Sequence, residues 1–147
     1  MTISSTAFTG NQLIPAKYTC DGQNVSPELA IADVPEKAQS LVLICDDPDA
    51  PMGTWTHWTV WNINPKINKI EENSVPEGAI EGKTSQGDSG YHGPCPPSGT
   101  HRYYFKIYAL DIKLNLHHPT DKAELEEALS GHILKQAELI GVYRRSG

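Results

Sequence analysis

The sequence is short of basic residues. Its 12 lysines and arginines face 18 aspartates and glutamates, which gives a formal net charge of −6. This acidic balance lacks the basic footprint of a nucleic-acid-binding protein. Long hydrophobic runs are missing too, since the longest, residues 41–45, falls far below the ~20 residues of a membrane-spanning helix. The composition therefore argues against nucleic-acid binding and against membrane insertion.

Secretion signals and cysteine motifs are absent as well. The first ten residues, MTISSTAFTG, contain neither the charged nor the apolar region of a signal peptide. The three cysteines, Cys20, Cys45 and Cys95, show no CxxC spacing. We therefore expect a cytoplasmic protein whose cysteines are reduced thiols. Two of them should pack as small apolar residues, and Cys95, in a loop rich in proline and glycine, is the candidate reactive thiol.

The sequence does contain a series of short β-strand patterns. Its length of 147 residues predicts one domain, residues 1–147. Residues 40–46 predict a central strand, because Leu, Val and Ile follow one another without a polar break. Residues 56–63 and 102–110 are rich in aromatic and β-branched side chains. In 102–110 aromatic residues alternate onto both faces, so we expect this strand to be covered on both sides. Weaker strand predictions cover residues 2–8, 28–31 and 137–144.

One helix is predicted to begin near Thr120. Residues 121–124 have capping-box spacing, and apolar residues then recur at helical spacing as far as residue 133. Gly131 inside this pattern costs about 1 kcal/mol, so the helix is expected to end at Ser130. The same pattern puts His132 on the apolar face, where it would be packed. The predicted fold is mainly antiparallel β, with a late helix packed on it.

Polar residues suited to chemistry concentrate in two segments, each adjoining a strong strand. These segments are residues 47–62 and 87–103. Strand alternation places His57 on the same face as Trp61, and His101 on the same face as Tyr103. If the two strands are neighbours, His57, His101 and Tyr103 converge at one rim of the sheet.

Such a group suits a small anion. Two imidazoles and a phenol supply N–H and O–H donors, and a carboxylate from the turn at Asp47 and Asp49 would fix a histidine tautomer. Glycines within residues 87–99 let backbone N–H groups approach a ligand, and the prolines there stiffen the loop. Trp55 or Tyr91 is expected to shelter the rest of the ligand. The sequence therefore predicts a site for a phosphate or carboxylate group.

Other interpretations of these residues remain open. Each can be structural: a proline turn, satisfied strand histidines, an aromatic core strand. The set Asp47, Asp49, His57 and His101 also contains the two histidines and a carboxylate that bind divalent metals, although no HxxxH or HxH spacing arranges them in advance. Residues 87–90, GDSG, match the surroundings of a trypsin-like nucleophile. That fold needs two barrels and the order His, Asp, Ser, which this sequence does not provide.

The two segments resemble the two signatures of the phosphatidylethanolamine-binding protein family, which includes the Raf kinase inhibitor proteins. The first signature is matched by DPDAP at residues 47–51 and HWTVWN at 57–62. The second is matched by residues 90–103, GYHGPCPPSGTHRY. Residues 19–27 and 137–143 are similar to its short bacterial and archaeal branch. The resemblance spans residues 5–145.

The resemblance implies a fold and a pocket. The fold is a Greek-key β-sandwich of two antiparallel sheets with one or two short helices, and the segment after Gly131 becomes a strand. The pocket binds phosphate-like anions and phospholipid head groups, with no cofactor and no metal. Carried over by position, its residues are Asp47, His57, His101 and Tyr103, with a wall formed by Asp49, Gly93, Pro94, Pro96 and Pro97.

We therefore expect a non-catalytic binding or regulatory protein for a phosphate-like anion or a phospholipid head group. Its protein partner would be a kinase or a protease, and it would form homodimers as similar short relatives do. Eukaryotic members carry a C-terminal helix over the pocket, and residues for one are lacking before Gly147, so kinase regulation of their kind is not expected. Two other classes stay open: a serine protease inhibitor acting through loops such as residues 64–82, and a phosphoester or metal-dependent hydrolase with His57 or His101 as base.

Overall fold

The computed structural model describes residues 1–145, which form eight strands, one α-helix and one 3₁₀ turn at Ala16–Tyr18. The strands and the helix, in chain order, are β1 (Thr2–Ser4), β2 (Leu29–Ala32), β3 (Ser40–Asp47), β4 (Trp55–Ile63), β5 (Lys69–Ile70), β6 (Ile80–Glu81), β7 (His101–Leu110), α1 (Lys122–Leu129) and β8 (Ile133–Tyr143).

The strands form two antiparallel sheets. The smaller has the order β1-β2-β5, and the larger has the order β6-β4-β3-β7-β8. Within the larger sheet β7 returns to lie beside β3, next to the run β3, β4 and β6, which is the Greek-key arrangement. The mainly β fold with two antiparallel sheets is as predicted. Because neighbouring strands are antiparallel, the end of β3 and the starts of β4 and β7 lie side by side at one end of the larger sheet.

The central strand β3 is buried on both faces, as its unbroken apolar run predicts. Leu43 and Cys45 belong to the core that packs between the two sheets. Val42 and Ile44 point the other way and pack with Leu125 of α1. Every residue of β3 is buried. The strand therefore forms a rigid support for the residues that follow at its end.

The three strongly predicted strands and the helix appear close to their expected positions. Asp121 caps α1 by accepting a hydrogen bond from the Glu124 N–H at 2.9 Å. The helix ends at Leu129, and Gly131 takes the positive φ of +84° that turns the chain into β8. His132 therefore lies outside the helix, and the prediction that it packs on the apolar face of the helix is wrong. Its Nδ1 lies 2.8 Å from Asp111 Oδ1.

Other differences from the predicted elements are small. Strand β8 begins four residues earlier than predicted, and the two-residue strands β5 and β6 carry too short a pattern to be predicted. On β7, Tyr103, Phe105 and Ile107 are fully buried, but the opposite face is only half-buried at Tyr104 and Tyr108. The prediction that both faces of this strand are covered therefore holds fully for one face and only partly for the other.

The cysteines contradict the expectation of reduced thiols. Cys20 and Cys95 form a disulfide between positions 75 residues apart in sequence. Spacing alone did not reveal this pair, because the packing of distant loops brings the two residues together. Cys45 is a free, buried thiol that packs as an apolar residue, as predicted, and burial raises its pKa well above the ordinary value. No helix among residues 1–145 is long and apolar enough to cross a membrane.

Candidate functional site

A cavity of about 350 Å³ opens at the end of the larger sheet where β3 ends and where β4 and β7 begin. Its lining combines a few polar groups with many apolar ones. The residues that line it are Asp47, Ala50, Pro51, Met52, Trp55, His57, Gln86, Cys95, Pro96, Pro97 and His101. The topology thus brings together the two histidines and the carboxylate that the sequence placed at one rim.

Asp47 organises the polar side of this cavity. Its side chain is only 4% exposed, and its Oδ2 lies 2.6 Å from Nδ1 of His101. Its other oxygen, Oδ1, accepts the Asp49 backbone N–H at 2.7 Å, which shapes the turn after β3. A carboxylate can only accept in this pair, so Nδ1 of His101 carries the proton and Nε2 is left for other partners.

His57 owes its position to an irregularity in the strand pairing. Cys45 of β3 pairs with Trp58 of β4. The next residue, Asp46, pairs with Thr56, so His57 is an extra residue with no partner on β3. Such a β-bulge breaks the alternation of side chains and redirects the extra residue. His57 consequently lines the cavity together with Asp47.

The bulge also overturns one prediction. Regular alternation places His57 and Trp61 on the same face, but Trp61 packs with the residues under α1, on the opposite side of the sheet from His57. The sequence patterns of β3 and β4, taken separately, do not show where their pairing slips.

The His57 ring is held by backbone groups. Its Nδ1 lies 2.6 Å from the carbonyl oxygen of His92, and the His92 N–H donates to the His57 carbonyl at 3.0 Å. Because a carbonyl oxygen only accepts, Nδ1 of His57 is the donor and Nε2 has the lone pair in the neutral ring. Burial lowers the His57 pKa below its ordinary value of 6.5, which favours that neutral form near pH 7.

Tyr103 lies behind the two histidines instead of on the cavity surface. It is fully buried, and its ring centre is 5.3 Å from that of His57 and 6.5 Å from that of His101. Its hydroxyl has no hydrogen-bond partner within residues 1–145. Burial and the nearby Asp47 charge raise its pKa well above the ordinary value, so it stays a neutral phenol.

Asp49 was predicted as part of the wall, but it faces away from the cavity and pairs with Arg102. Its Oδ1 lies 2.8 Å from Arg102 Nη2, and its Oδ2 accepts both the Arg102 backbone N–H and Nε at 2.9 Å. The guanidinium lowers the Asp49 pKa to about 2. This pair fastens the turn that follows β3 to the start of β7.

The proline loop supplies only part of the predicted wall. Pro96 and Pro97 line the cavity, whereas Gly93 and Pro94 do not. The Gly93 N–H donates to Asn24 Oδ1 at 2.8 Å, and a side chain at Gly93 would overlap the backbone of Tyr18. Gly93 is therefore required by close packing of two loops, not by the approach of a ligand to its N–H.

Of the two aromatic residues expected to shelter a ligand, the structure places one at the cavity. Trp55 lines the cavity and is 36% exposed. Tyr91 is directed elsewhere: its hydroxyl donates to the Tyr18 carbonyl at 2.8 Å and its ring meets Trp58 edge-on. Met52 and Gln86 also line the cavity. The sequence does not predict them, because a methionine or a glutamine in a loop is not by itself typical of a binding site.

The alternative metal site does not form among residues 1–145, where no cluster of three or more histidine, cysteine, aspartate or glutamate side chains could hold an ion. Of the four residues considered, Asp49 is removed by its ion pair with Arg102. The remaining arrangement is a pair of oriented imidazoles beside one buried carboxylate. It can donate to, or accept from, a small polar group through the two Nε2 atoms.

Comparisons with known proteins agree on a family. The family model described as phosphatidylethanolamine-binding protein matches residues 4–144. A UPF0098 protein of Methanothermobacter thermautotrophicus is 49% identical over 150 residues, covering 99% of each chain. A UPF0098 protein of Chlamydia trachomatis is 43% identical over 150 residues, again covering 99% of each chain.

Two crystal structures share the fold over nearly the whole chain. A phosphatidylethanolamine-binding protein homologue of Chlamydia trachomatis, CT736, has a TM-score of 0.95 at 43% identity, over 99% of this chain and 97% of that one. The Escherichia coli protein YbcL, a member of the mammalian family of these proteins, has a TM-score of 0.92 at 29% identity, over 99% and 98% of the two chains.

Proposed function

Since the chain belongs to the phosphatidylethanolamine-binding protein family, we propose that it is a non-catalytic binding protein whose cavity takes a phosphate-like anion. One observation supports this function above the others. His57 and His101 each engage Nδ1 with a fixed acceptor, 2.6 Å away in both cases, which leaves both Nε2 atoms for a ligand. Oriented ring nitrogens that lose no freedom on binding favour a small polar or charged group.

The electrostatics of the cavity select the protonation state of the complex. With both rings neutral, the nearest charge is the negative Asp47 carboxylate, which disfavours an anion. A proton on an imidazole turns its Nε2 into a donor and offsets that charge. Alternatively, an anion that carries its own O–H, such as a singly charged phosphate ester, can donate to the neutral His57. Binding is therefore coupled to a proton, taken from solution or brought by the ligand.

The apolar rim favours a ligand with more than a bare anionic group. Met52 is 95% exposed and Trp55 is 36% exposed, and both line the cavity beside Pro51 and Pro97. An anionic head group would face the histidines while an attached carbon chain lies against this rim. A phospholipid head group or a phosphorylated small molecule meets both requirements.

NMR titration tests the proposal. Inorganic phosphate and phosphoethanolamine should shift the ring signals of His57 and His101 before others. The variant His101→Ala should stay folded and lose roughly 10–100-fold in affinity, the value of one charge-assisted hydrogen bond. His132→Ala, which removes a histidine outside the cavity, is the matched control and should bind as the wild type does. Shifts confined to other regions would rule the site out.

The other function classes remain predictions with their own assays. The described cavity lining has no serine or threonine, and the Cys95 sulfur is in a disulfide, so a hydrolase would depend on a water activated by a histidine. Turnover of a phosphoester, lost in His57→Ala, would support that class. Inhibition of a serine protease that survives His101→Ala but not changes in residues 64–82 would support the loop-based inhibitor.

A further inference from the structure

The Cys20–Cys95 disulfide is part of the cavity wall. Cys95 lines the cavity and is exposed, whereas Cys20 is half-buried. Most structural disulfides resist reduction, and exposed ones are the labile, regulatory or catalytic ones. The exposure of Cys95 at the cavity surface therefore favours the approach of a dissolved thiol to this bond.

The wall on either side of Cys95 is held in very different ways. Before it, the loop is tied to the segment around Cys20: Gly93 N–H donates to Asn24 Oδ1 at 2.8 Å, and Cys20 N–H donates to the Pro94 carbonyl at 3.1 Å. After it, residues 96–100 make no hydrogen bond with any other residue in the described part of the chain. The next anchor is His101, through Asp47.

We propose that this disulfide is a thiol-exchange site, and that its reduction by a dithiol releases the 96–100 segment, which carries Pro96 and Pro97 of the cavity wall. With the bond intact, a covalent anchor and His101 fix the two ends of the segment. Without it, the remaining polar anchors are the hydrogen bond at Pro94 and His101, and within the segment only Pro96 is buried, so the exposed residues 97–100 gain freedom. The disulfide thus serves as the covalent attachment of this part of the wall.

The exchange balances in two steps. One thiolate of the dithiol attacks Cys95 Sγ, forming a mixed disulfide and releasing Cys20 as a thiolate, which takes up a proton. The second thiolate then attacks the sulfur contributed by the dithiol in that mixed disulfide. This closes the dithiol into its own disulfide and frees Cys95 as a thiol. Two electrons pass from the dithiol to the protein, and oxidation of the two thiols reverses the change.

The effect on binding rests on the proposed anion site, whereas the effect on the wall does not. If the released segment occupies its bound position about one-tenth of the time, the apparent affinity for an anion falls roughly tenfold. The two histidines keep their own anchors, since neither the Asp47 contact nor the His92 contact involves the disulfide. Reduction should therefore weaken binding without removing it.

The experiment compares the oxidised protein with the same protein in dithiothreitol. Alkylation of the native, reduced protein followed by mass spectrometry should label Cys20 and Cys95 and leave the buried Cys45 unlabelled. The ¹H–¹⁵N heteronuclear NOE should fall at Ser98, Gly99 and Thr100 on reduction. Phosphoethanolamine affinity, measured by calorimetry on both forms, should drop about tenfold, because the carbon chain of this ligand reaches the released wall. A Cys20→Ser/Cys95→Ser variant should match the reduced protein and ignore dithiothreitol.

Each outcome decides one claim. A disulfide that resists dithiothreitol in the folded protein overturns the exchange site. A reduced protein with an unchanged NOE at residues 98–100 and an unchanged affinity overturns the release of the wall. An oxidised protein that binds no phosphoethanolamine overturns the proposed function instead, and the labelling and NOE results then still test the disulfide. Because these readouts use the wild type, the inference does not depend on the folding of the double variant.

Discussion

Asp46 and Asp47 are consecutive at the end of β3, and their carboxylates serve opposite faces of the larger sheet. Asp46 Oδ2 accepts from Lys122 Nζ of α1 at 2.9 Å and from Lys106 Nζ at 3.1 Å. Asp47 turns toward the cavity and orients His101. One strand end thus carries an anchor for the helix and an anchor for the site, and the two can be separated by isosteric substitutions.

Asp46→Asn should reduce stability and leave binding intact. The change removes the charge that two lysines share, and the Asp46 side chain is only 1% exposed, so we expect a loss of about 1–3 kcal/mol in the free energy of unfolding. Chemical denaturation measures this loss, and a phosphate titration of the same variant should give the wild-type affinity. A loss of affinity as large as the one expected for Asp47→Asn would contradict the separation of the two roles.

Asp47→Asn, by contrast, should weaken anion binding. The amide keeps the shape of the side chain but can present its N–H₂ group to Nδ1 of His101, which removes control of the ring tautomer. We expect at least a tenfold loss in phosphate affinity, read by calorimetry. Asp111→Asn disrupts another Asp–His pair, Asp111 with His132, outside the cavity, and serves as the matched control with unchanged affinity. Equal phosphate affinities for the two variants would show that Asp47 does not contribute to binding.

The depressed pKa of His57 predicts two opposite pH effects. The folded state favours the neutral ring, so below about pH 6.5 the unfolded chain binds more protons and the free energy of unfolding decreases as the pH falls. Anion binding favours the charged ring, so affinity should increase over the same range. Sulfate is the suitable probe because its charge stays constant there.

The matched variant for this test is His57→Gln. It removes the titrating ring, so the pH dependence of sulfate affinity should become shallower than in the wild type, and the loss of stability below pH 6.5 should diminish. An identical pH profile in both proteins would show that another group controls the binding.

Gly93→Ala should destabilise the fold although it adds one methyl group. A Cβ at this position would overlap the Tyr18 carbonyl oxygen, a backbone atom that cannot move aside alone. We expect a loss of about 1–3 kcal/mol, as for other overpacked sites. Gly10→Ala is the control, since its nearest contact would be Leu139 at 4.0 Å and its φ is not in the left-handed region. Thermal unfolding of both variants gives the comparison.

Arg102→Gln should release the Asp49 carboxyl group. The pKa of Asp49, held at about 2 by the guanidinium, should return toward the usual value of about 3.9 for this side chain. NMR titration of the carboxyl carbon measures the change. Because Asp49 lies outside the cavity lining, the histidine shifts on phosphate addition should persist. A carboxyl pKa that stays near 2 would show that groups other than the Arg102 guanidinium, such as the backbone N–H of residue 102, hold it there.

The sequence predicts the regular parts of this fold well. The apolar run of β3 and the alternation of β7 each decide burial within one segment, so a local pattern is sufficient. The cap at Asp121 and the turn at Gly131 are equally local. By contrast, β5 and β6 have two residues each, and they are strands only because they pair with β2 and β4, which lie far from them in sequence or carry the pattern themselves.

The site was predictable in its residue types but less so in its geometry. The sequence predicts His57, His101 and Tyr103 at one rim beside the turn at Asp47 and Asp49. The structure places Asp47, His57 and His101 in the cavity lining, and leaves Tyr103 and Asp49 outside it. The face of His57 depends on a slip between two strands, and the partner of Cys95 depends on how two loops pack. Neither is encoded within a single stretch of sequence. The same holds for Gly93, whose requirement for glycine comes from the backbone of Tyr18.

The β-bulge at His57 makes the site depend on how many residues β4 has, and not only on which they are. If Thr56 were deleted, His57 would move into register with Asp46 and turn toward α1. Such a chain would keep every cavity residue in its sequence and still lose the cavity arrangement. A relative that keeps the histidine but lacks one residue at this point would therefore place the ring on the other face of the sheet, even though its motifs align.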